Sequence, residues 1–424
     1  MSFNVFQQVF YLSLASNLVN DVEGTLESLQ SALQDRLASA LPKIGTDWKV
    51  VWGPVVWKFK DNDSTGPDNS WYIAYNPCLA FEDGSVHPTY VIAIAGTPRE
   101  SLYAWFAENF TVNMVSDFKN WVAGGIQNRP APAMNIAPGG AYIAKGTADT
   151  VHLLLTTPAP EGTASASTTL LDFVTNLDLS ESPRFIFTGH SLGGTLSPSL
   201  ALALVVSDSP IRADSTLTYP TAGASPGNIG LTDLFEETFP PLKSPGAASY
   251  QGWNLNLVNK LDPVPQAWCA VRSISPEQNL FNIPTMYGEP ALAEVRNTIF
   301  LAAIWSRISG VLYKPLPSQY FTGDTPTVTP DTLTKFLQIV DVQHLESYLF
   351  ETKVPIPSLD ESQPLGVGLA EKTTGQKRFN HPLIIDFEWE LENPGRAKDI
   401  VEQVQGKTEA QAYLGEVEKE SVSV

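Results

Sequence analysis

"FIFTGHSLGGTLSPSLALAL", residues 185–204, changes character at its centre. The apolar run ending at Thr188 reads as a strand, and the small and aliphatic residues after Gly193 read as a helix. Ser191 stands at the junction, in Gly189-His190-Ser191-Leu192-Gly193, which satisfies the pattern G-x-S-x-G. The spacing has a steric reason. A serine on a sharp strand-to-helix turn sits in strained dihedrals, so the residues two before and two after it must be small. The helix that follows points free N–H groups at the serine oxygen and at any oxyanion formed there. In this setting Ser191 is a candidate nucleophile rather than a polar residue in a glycine-rich turn. The N–H of Leu192 is a candidate oxyanion donor.

A serine hydroxyl attacks an ester at neutral pH only when a histidine takes its proton. The chain has five histidines: His87, His152, His190, His344 and His381. His190, beside the nucleophile, is expected to pack beneath the turn. In this kind of sheet the chain order is serine, acid, histidine, which leaves His344 in "VDVQHLESYLFET" and His381 in "RFNHPLIIDF". Position alone keeps both open. The acid that orients the imidazole is expected at Asp262, in "NLVNKLDPVP", because it follows an apolar run and Pro263 and Pro265 fix its loop. Asp214 and Asp233 are weaker candidates, since neither ends a strand-like run. A second oxyanion donor is expected where an earlier strand exits, at Thr97 in "VIAIAGTPRES".

Around these segments lie further strand-like runs at 48–60, 70–76, 89–97, 215–228 and 253–265, with helical stretches between several of them. Such alternation predicts an α/β fold with a mostly parallel sheet and helices on both faces. Helical spacing at Val5, Phe6, Val9 and Phe10, and again at Leu26, Leu29, Leu33 and Leu37, predicts an N-terminal helical region over about 1–45. Residues 141–156 read as a helix, and 393–424 as a polar, acidic surface tail. The loop "DNDSTGPDN" resembles a calcium loop at Asp61, Asp63 and Gly66, but its twelfth position is Tyr72 rather than a bidentate carboxylate, so it reads as an ordinary turn.

With 424 residues, 43% of them hydrophobic, the chain can bury a large core, and it reads as one domain. Its formal charge of -19 argues against nucleic acid and against attraction to anionic membranes. Cys78 and Cys269 allow one bridge or two free thiols. No stretch of about eighteen uninterrupted apolar residues predicts a membrane span. The N-terminus lacks a basic region ahead of its apolar stretch and makes a poor signal peptide, so the expected location is the cytoplasm or secretion by a non-classical route.

Taken together, the segments resemble the class 3 lipases, the α/β-hydrolase family that includes filamentous-fungal triacylglycerol lipases and plant acylhydrolases. "VIAIAGTPRESLYAWFAENF" is similar to the family's apolar strand, Gly-Thr and later Trp; "FIFTGHSLGGTLSPSLALAL" to its nucleophile segment; "PTAGASPGN" to its Gly-x-Ser-Pro turn. "NLVNKLDPVP" matches the acid segment and "QHLESYLF" the His-x-x-x-Tyr-Leu segment carrying the base, which favours His344 over His381. The resemblance covers about residues 70–350. It implies an α/β-hydrolase fold, hydrolysis of lipid or other carboxylic esters, no metal or cofactor, transient contact with a lipid interface, and a mobile lid, for which 102–121 is the candidate. The family's His-x-Gly-Phe segment is only loosely matched by "AKGTADTV", and a helical insertion over about 275–313, with an apolar run at 291–313, exceeds the family core. Two rivals share the scaffold: an esterase for feruloyl or other small aromatic esters, and a catalytically silent protein that binds lipids or partners.

Overall fold

In "YVIAI" (90–94), Val91 and Ala93 belong to one buried cluster, while Ile92 and Ile94 belong to another. Successive side chains of a strand point to opposite faces, so a strand buried on both needs cover on both. The computed structural model, which describes residues 3–45, 47–59, 61–96 and 111–357, supplies that cover.

The strands in chain order are β1 (Lys49–Trp57), β2 (Asn69–Ala80), β3 (Val86–Ile94), β4 (Val115–Asp117), β5 (Tyr142–Ala144), β6 (Arg184–His190), β7 (Thr216–Thr221), β8 (Asn256–Asn259) and β9 (Ser318–Phe321). The helices are α1 (Val5–Ala15), α2 (Leu26–Ala40), α3 (Phe118–Ala123), α4 (Lys145–Thr156), α5 (Leu170–Thr175), α6 (Leu192–Val206), α7 (Ile229–Thr238), α8 (Ala293–Ile308), α9 (Leu333–Asp341) and α10 (Ser347–Thr352). Seven strands form one sheet in the order β1-β2-β3-β6-β7-β8-β9. β1, β2 and β3 run antiparallel, and from β3 to β9 every pairing is parallel. Helices α1, α2 and α10 cover the face carrying Tyr72, Ala93 and Ile186, and α4, α5, α6 and α7 cover the face carrying Trp71, Ile92 and Phe187. The fold is of the α/β-hydrolase type.

The N-terminal region is part of the core. Asn4 and Gln7 close a capping box at the start of α1. Phe6 of α1 stacks on Trp253 at 4.4 Å between centroids, and Phe10 lies edge-on to His190. A helix apolar on nearly every side is a buried helix.

Several expectations change. Residues 141–156 begin as a strand, not a helix. Tyr142–Ala144 pairs with β4, and the N–H of Ala144 is taken by Pro226 O at 2.9 Å, so the helix starts only at Lys145. β9 was not anticipated. Of the lid candidate, 102–110 lies outside the described residues, whereas Val112, Val115, Phe118 and Trp121 are buried. The apolar run at 291–313 is helical only over Ala293–Ile308. In the loop after β1, the Lys58 ammonium donates to the carbonyls of Gly24, Asn62 and Thr65 at 2.7–2.9 Å. Cys78 and Cys269 are both free thiols. No helix among the described residues is long and apolar enough to cross a membrane. The acidic tail, 393–424, lies outside them.

Candidate active site

Ser191 joins β6 to α6 with φ 60° and ψ -123°, a left-handed backbone that a non-glycine residue adopts only under strain. Packing enforces it. A Cβ on Gly193 would come within 2.2 Å of Ile94 O on β3, and a Cβ on Gly189 within 2.3 Å of the Gly193 carbonyl. Helix and strands therefore touch through bare backbone at these two positions. The N–H of Ser191 donates to Thr221 O at 3.0 Å, tying the turn to the end of β7. Leu192 is the first residue of α6, where N–H groups have no intrahelical acceptor. The carbonyl of Ser191 takes the N–H groups of Gly194 and Thr195.

His344 and Asp262 meet although 82 residues separate them. Nδ1 of His344 lies 2.8 Å from Oδ2 of Asp262, with both side chains buried. A carboxylate only accepts, so Nδ1 carries the hydrogen and Nε2 of the neutral ring keeps its lone pair. That Nε2 is buried and has no hydrogen-bond partner among the described residues, and Ser191 Oγ is not bonded to it. The rest of the histidine is anchored on the serine turn. His344 O is 2.8 Å from Nε2 of His190, and the two rings lie 4.8 Å apart. A carbonyl also only accepts, so His190 donates through Nε2, and its Nδ1 faces the Thr221 hydroxyl at 2.8 Å. His190 thus packs beneath the turn, as expected.

The acid loop is fixed from several sides. Asp262 Oδ1 accepts the N–H of Val264, and Asp262 N–H returns to Asn259 O. Tyr287 donates to Leu261 O at 2.8 Å. Asn259 grips both halves of the pair: its Nδ2 donates to Gln343 O at 2.9 Å, next to His344, while its Oδ1 accepts the N–H groups of Leu261 and Gly323. Tyr348 donates to Asp262 Oδ2 at 2.9 Å and accepts the N–H of Asn259 at 3.0 Å. Burial above all, and then the adjacent Asp262 charge, hold the Tyr348 phenol far above its ordinary pKa, so it stays a donor.

His344 stands in a π-helical segment, Val342–Glu346, continuous with α9 and α10. Such segments widen a helix by one residue and are frequent at functional sites. Thr97 and His381 lie outside the described residues. Gly96, the residue before Thr97, is described, and asparagines 17 and 20 hold its backbone. Asp214 and Asp233 are remote in role: each pairs with a surface cation, Arg212 and Lys314 respectively. The sequence reading gave no role to Tyr348, Asn259, Gln343 or Thr221. Tyr348 carried a signal, a polar residue four positions after His344 and so on the same helix face.

Residues 91–271 match the model of the lipase (class 3) family. Among solved structures, M37 lipase is 22% identical, with 82% of this chain and 92% of that chain covered and a TM-score of 0.59. Lipase II from Rhizopus niveus is 14% identical, covering 62% of this chain and 74% of that one, with a TM-score of 0.33. A triacylglycerol lipase whose catalytic centre is a serine protease triad is 16% identical, covering 61% of this chain and 72% of that one, with a TM-score of 0.32. None of the curated proteins compared matches the chain. Over residues 91–271 the chain is thus similar to the class 3 lipases, and its fold is of the α/β-hydrolase type.

Proposed function

We propose that the chain cleaves lipid carboxylic esters, such as acylglycerols, through an acyl-enzyme on Ser191. The observation that carries the reading is the buried His344–Asp262 bond, made against a strained serine turn that shares a hydrogen bond with the same histidine.

In this mechanism Ser191 Oγ adds to the ester carbonyl carbon while His344 Nε2 takes its proton. Asp262 holds the tautomer and balances the imidazolium. The carbonyl oxygen becomes an oxyanion that accepts from the N–H of Leu192 and of Thr97, each donor worth about 3 kcal/mol in the transition state. Collapse expels the alcohol, which takes its proton from His344 and leaves the acyl group on Ser191. Water then adds with His344 again as base, and carboxylic acid is released. No metal or cofactor enters any step.

Ser191→Ala tests the reading. The variant should keep the wild-type thermal midpoint, lose hydrolysis of p-nitrophenyl butyrate and fail to react with a fluorophosphonate probe. Comparable turnover in that variant refutes the assignment. A series of p-nitrophenyl esters from acetate to palmitate, with methyl ferulate, separates the substrate classes. Preference for the longer acyl chains is expected.

A further inference from the structure

Both ring nitrogens of His190 are engaged at the site. Nε2 lies 2.8 Å from His344 O, and Nδ1 lies 2.8 Å from the Thr221 hydroxyl. A backbone carbonyl only accepts, so the hydrogen sits on Nε2, and Thr221 Oγ1 supplies the hydrogen shared with Nδ1. Thr221 is the residue paired with His190 across β6 and β7, and its carbonyl takes the N–H of Ser191 at 3.0 Å. The ring has little room to move. It is fully buried, edge-on to Tyr348 at 5.0 Å and to Phe10 at 6.2 Å between centroids, and 4.8 Å from the His344 ring. His344 O belongs to the π-helical segment, and the carbonyl before it is also taken from outside, since Asn259 Nδ2 donates to Gln343 O. Two successive carbonyls of the widened turn thus accept from side chains of β6 and β8.

We infer that His190 is a positioning residue for the base, holding His344 through its backbone carbonyl. The inference rests on the reaction proposed above, in which His344 Nε2 takes the proton of Ser191 Oγ. Asp262 holds the imidazole at Nδ1 alone, and a single hydrogen bond leaves the ring free to pivot on it. The His190 bond fixes the same residue at its other end, at the carbonyl joined to its Cα. With both ends held, the direction of Nε2 is set. The tautomer of His190 matters as much as its place. With the hydrogen on Nδ1 instead, two lone pairs would face each other between Nε2 and His344 O, and the Thr221 hydroxyl, by donating to Nδ1, holds the ring against that state. The donor is also the residue that covalently precedes Ser191. Serine and base are therefore joined by one peptide unit and one hydrogen bond rather than across the width of the sheet, and a shift of the turn carries the base with it. Reacting groups tolerate little error, because a misplacement of about 1 Å can cost about 100-fold in rate.

The test separates the two ring nitrogens. A glutamine amide nitrogen reaches where Nε2 of a histidine stands, whereas an asparagine amide reaches only as far as Nδ1. His190→Gln therefore keeps a donor for His344 O, and His190→Asn keeps an acceptor for the Thr221 hydroxyl but loses that donor. Both remove a buried ring, so both should lower the thermal midpoint to a similar extent. With p-nitrophenyl butyrate, His190→Asn should lose kcat by about 10- to 100-fold while KM changes little. Fluorophosphonate labelling of Ser191 should slow in step. His190→Gln should keep most of both rates. Thr221→Val leaves His190 in place and removes only the hydroxyl that holds its tautomer, so it should show the asparagine pattern at smaller amplitude. It carries the test if His190→Asn does not accumulate folded. Wild-type kcat in folded His190→Asn overturns the inference, as does an equal loss in the glutamine and asparagine variants. Where Thr221→Val stands alone, wild-type kcat there overturns it too. Ser191→Ala, assayed alongside, separates the two failures. Residual turnover there sinks the mechanism itself, whereas an inactive Ser191→Ala beside a fully active His190→Asn sinks only the positioning role.

Discussion

One hydroxyl, that of Tyr348, serves both the acid and the strand that delivers it. It donates to Asp262 Oδ2 and accepts from Asn259 N, so the carboxylate cannot rotate without breaking its bond to a hydroxyl that is itself tied to β8. Removing it leaves a buried N–H orphaned and strips a hydrogen bond from a charged acceptor, a loss of about 1.5–3 kcal/mol. Tyr348→Phe should therefore lower the thermal midpoint and slow fluorophosphonate labelling, with KM little changed. Labelling at the wild-type rate would make Tyr348 a packing residue alone. Single residues were the most legible scale. The Ser191 turn and the Asp262 loop could be placed because they leave local marks: small neighbours at fixed offsets, and an aspartate between an apolar run and prolines. Asn17 and Asn20 leave none, since their partner is a backbone group of Gly96, and backbone is the same in every sequence.

Among the elements, β9 and α1 show where local pattern fails and where it succeeds. β9 is four residues, Ser318–Phe321, of which only Phe321 is buried, so an edge strand of this kind has no alternation to read. The π-helical segment was equally silent, because its extra residue per turn is imposed by the bonds of Gln343 and His344 to Asn259 and His190. α1 was legible as a helix from its spacing, but its place was not, since Phe6 and Phe10 meet aromatic partners more than 170 residues away. The place matters energetically. Phe10 is fully buried against the underside of His190, and truncating such a side chain costs about 3–5 kcal/mol through lost burial and the cavity left behind. Phe10→Ala should thus lower the urea midpoint strongly with an unchanged m-value. An effect below about 1 kcal/mol would mean that α1 is not integral to the core.

At the scale of the whole molecule the sequence specified the sheet more firmly than its decoration. Buried strands announce themselves as apolar runs, whereas the helices and loops that cover them are fixed by contacts between distant segments. Charge, by contrast, needs no fold to be read. A formal charge of -19 spread over 424 residues surrounds the molecule with a negative potential that reaches about 30 Å at 0.01 M salt and only about 3 Å at 1 M. An enzyme that works on lipid esters must approach a surface, and an anionic surface would repel this one. Hydrolysis of a neutral ester dispersed in phosphatidylcholine should exceed that of the same ester in phosphatidylglycerol at low ionic strength. The gap should close as salt is added, because screening removes the repulsion while leaving the reaction proposed at Ser191 untouched. A soluble p-nitrophenyl ester assayed in parallel should show no such salt dependence. Faster turnover on the anionic particles at low salt would mean that a local cationic patch, rather than the net charge, governs the approach.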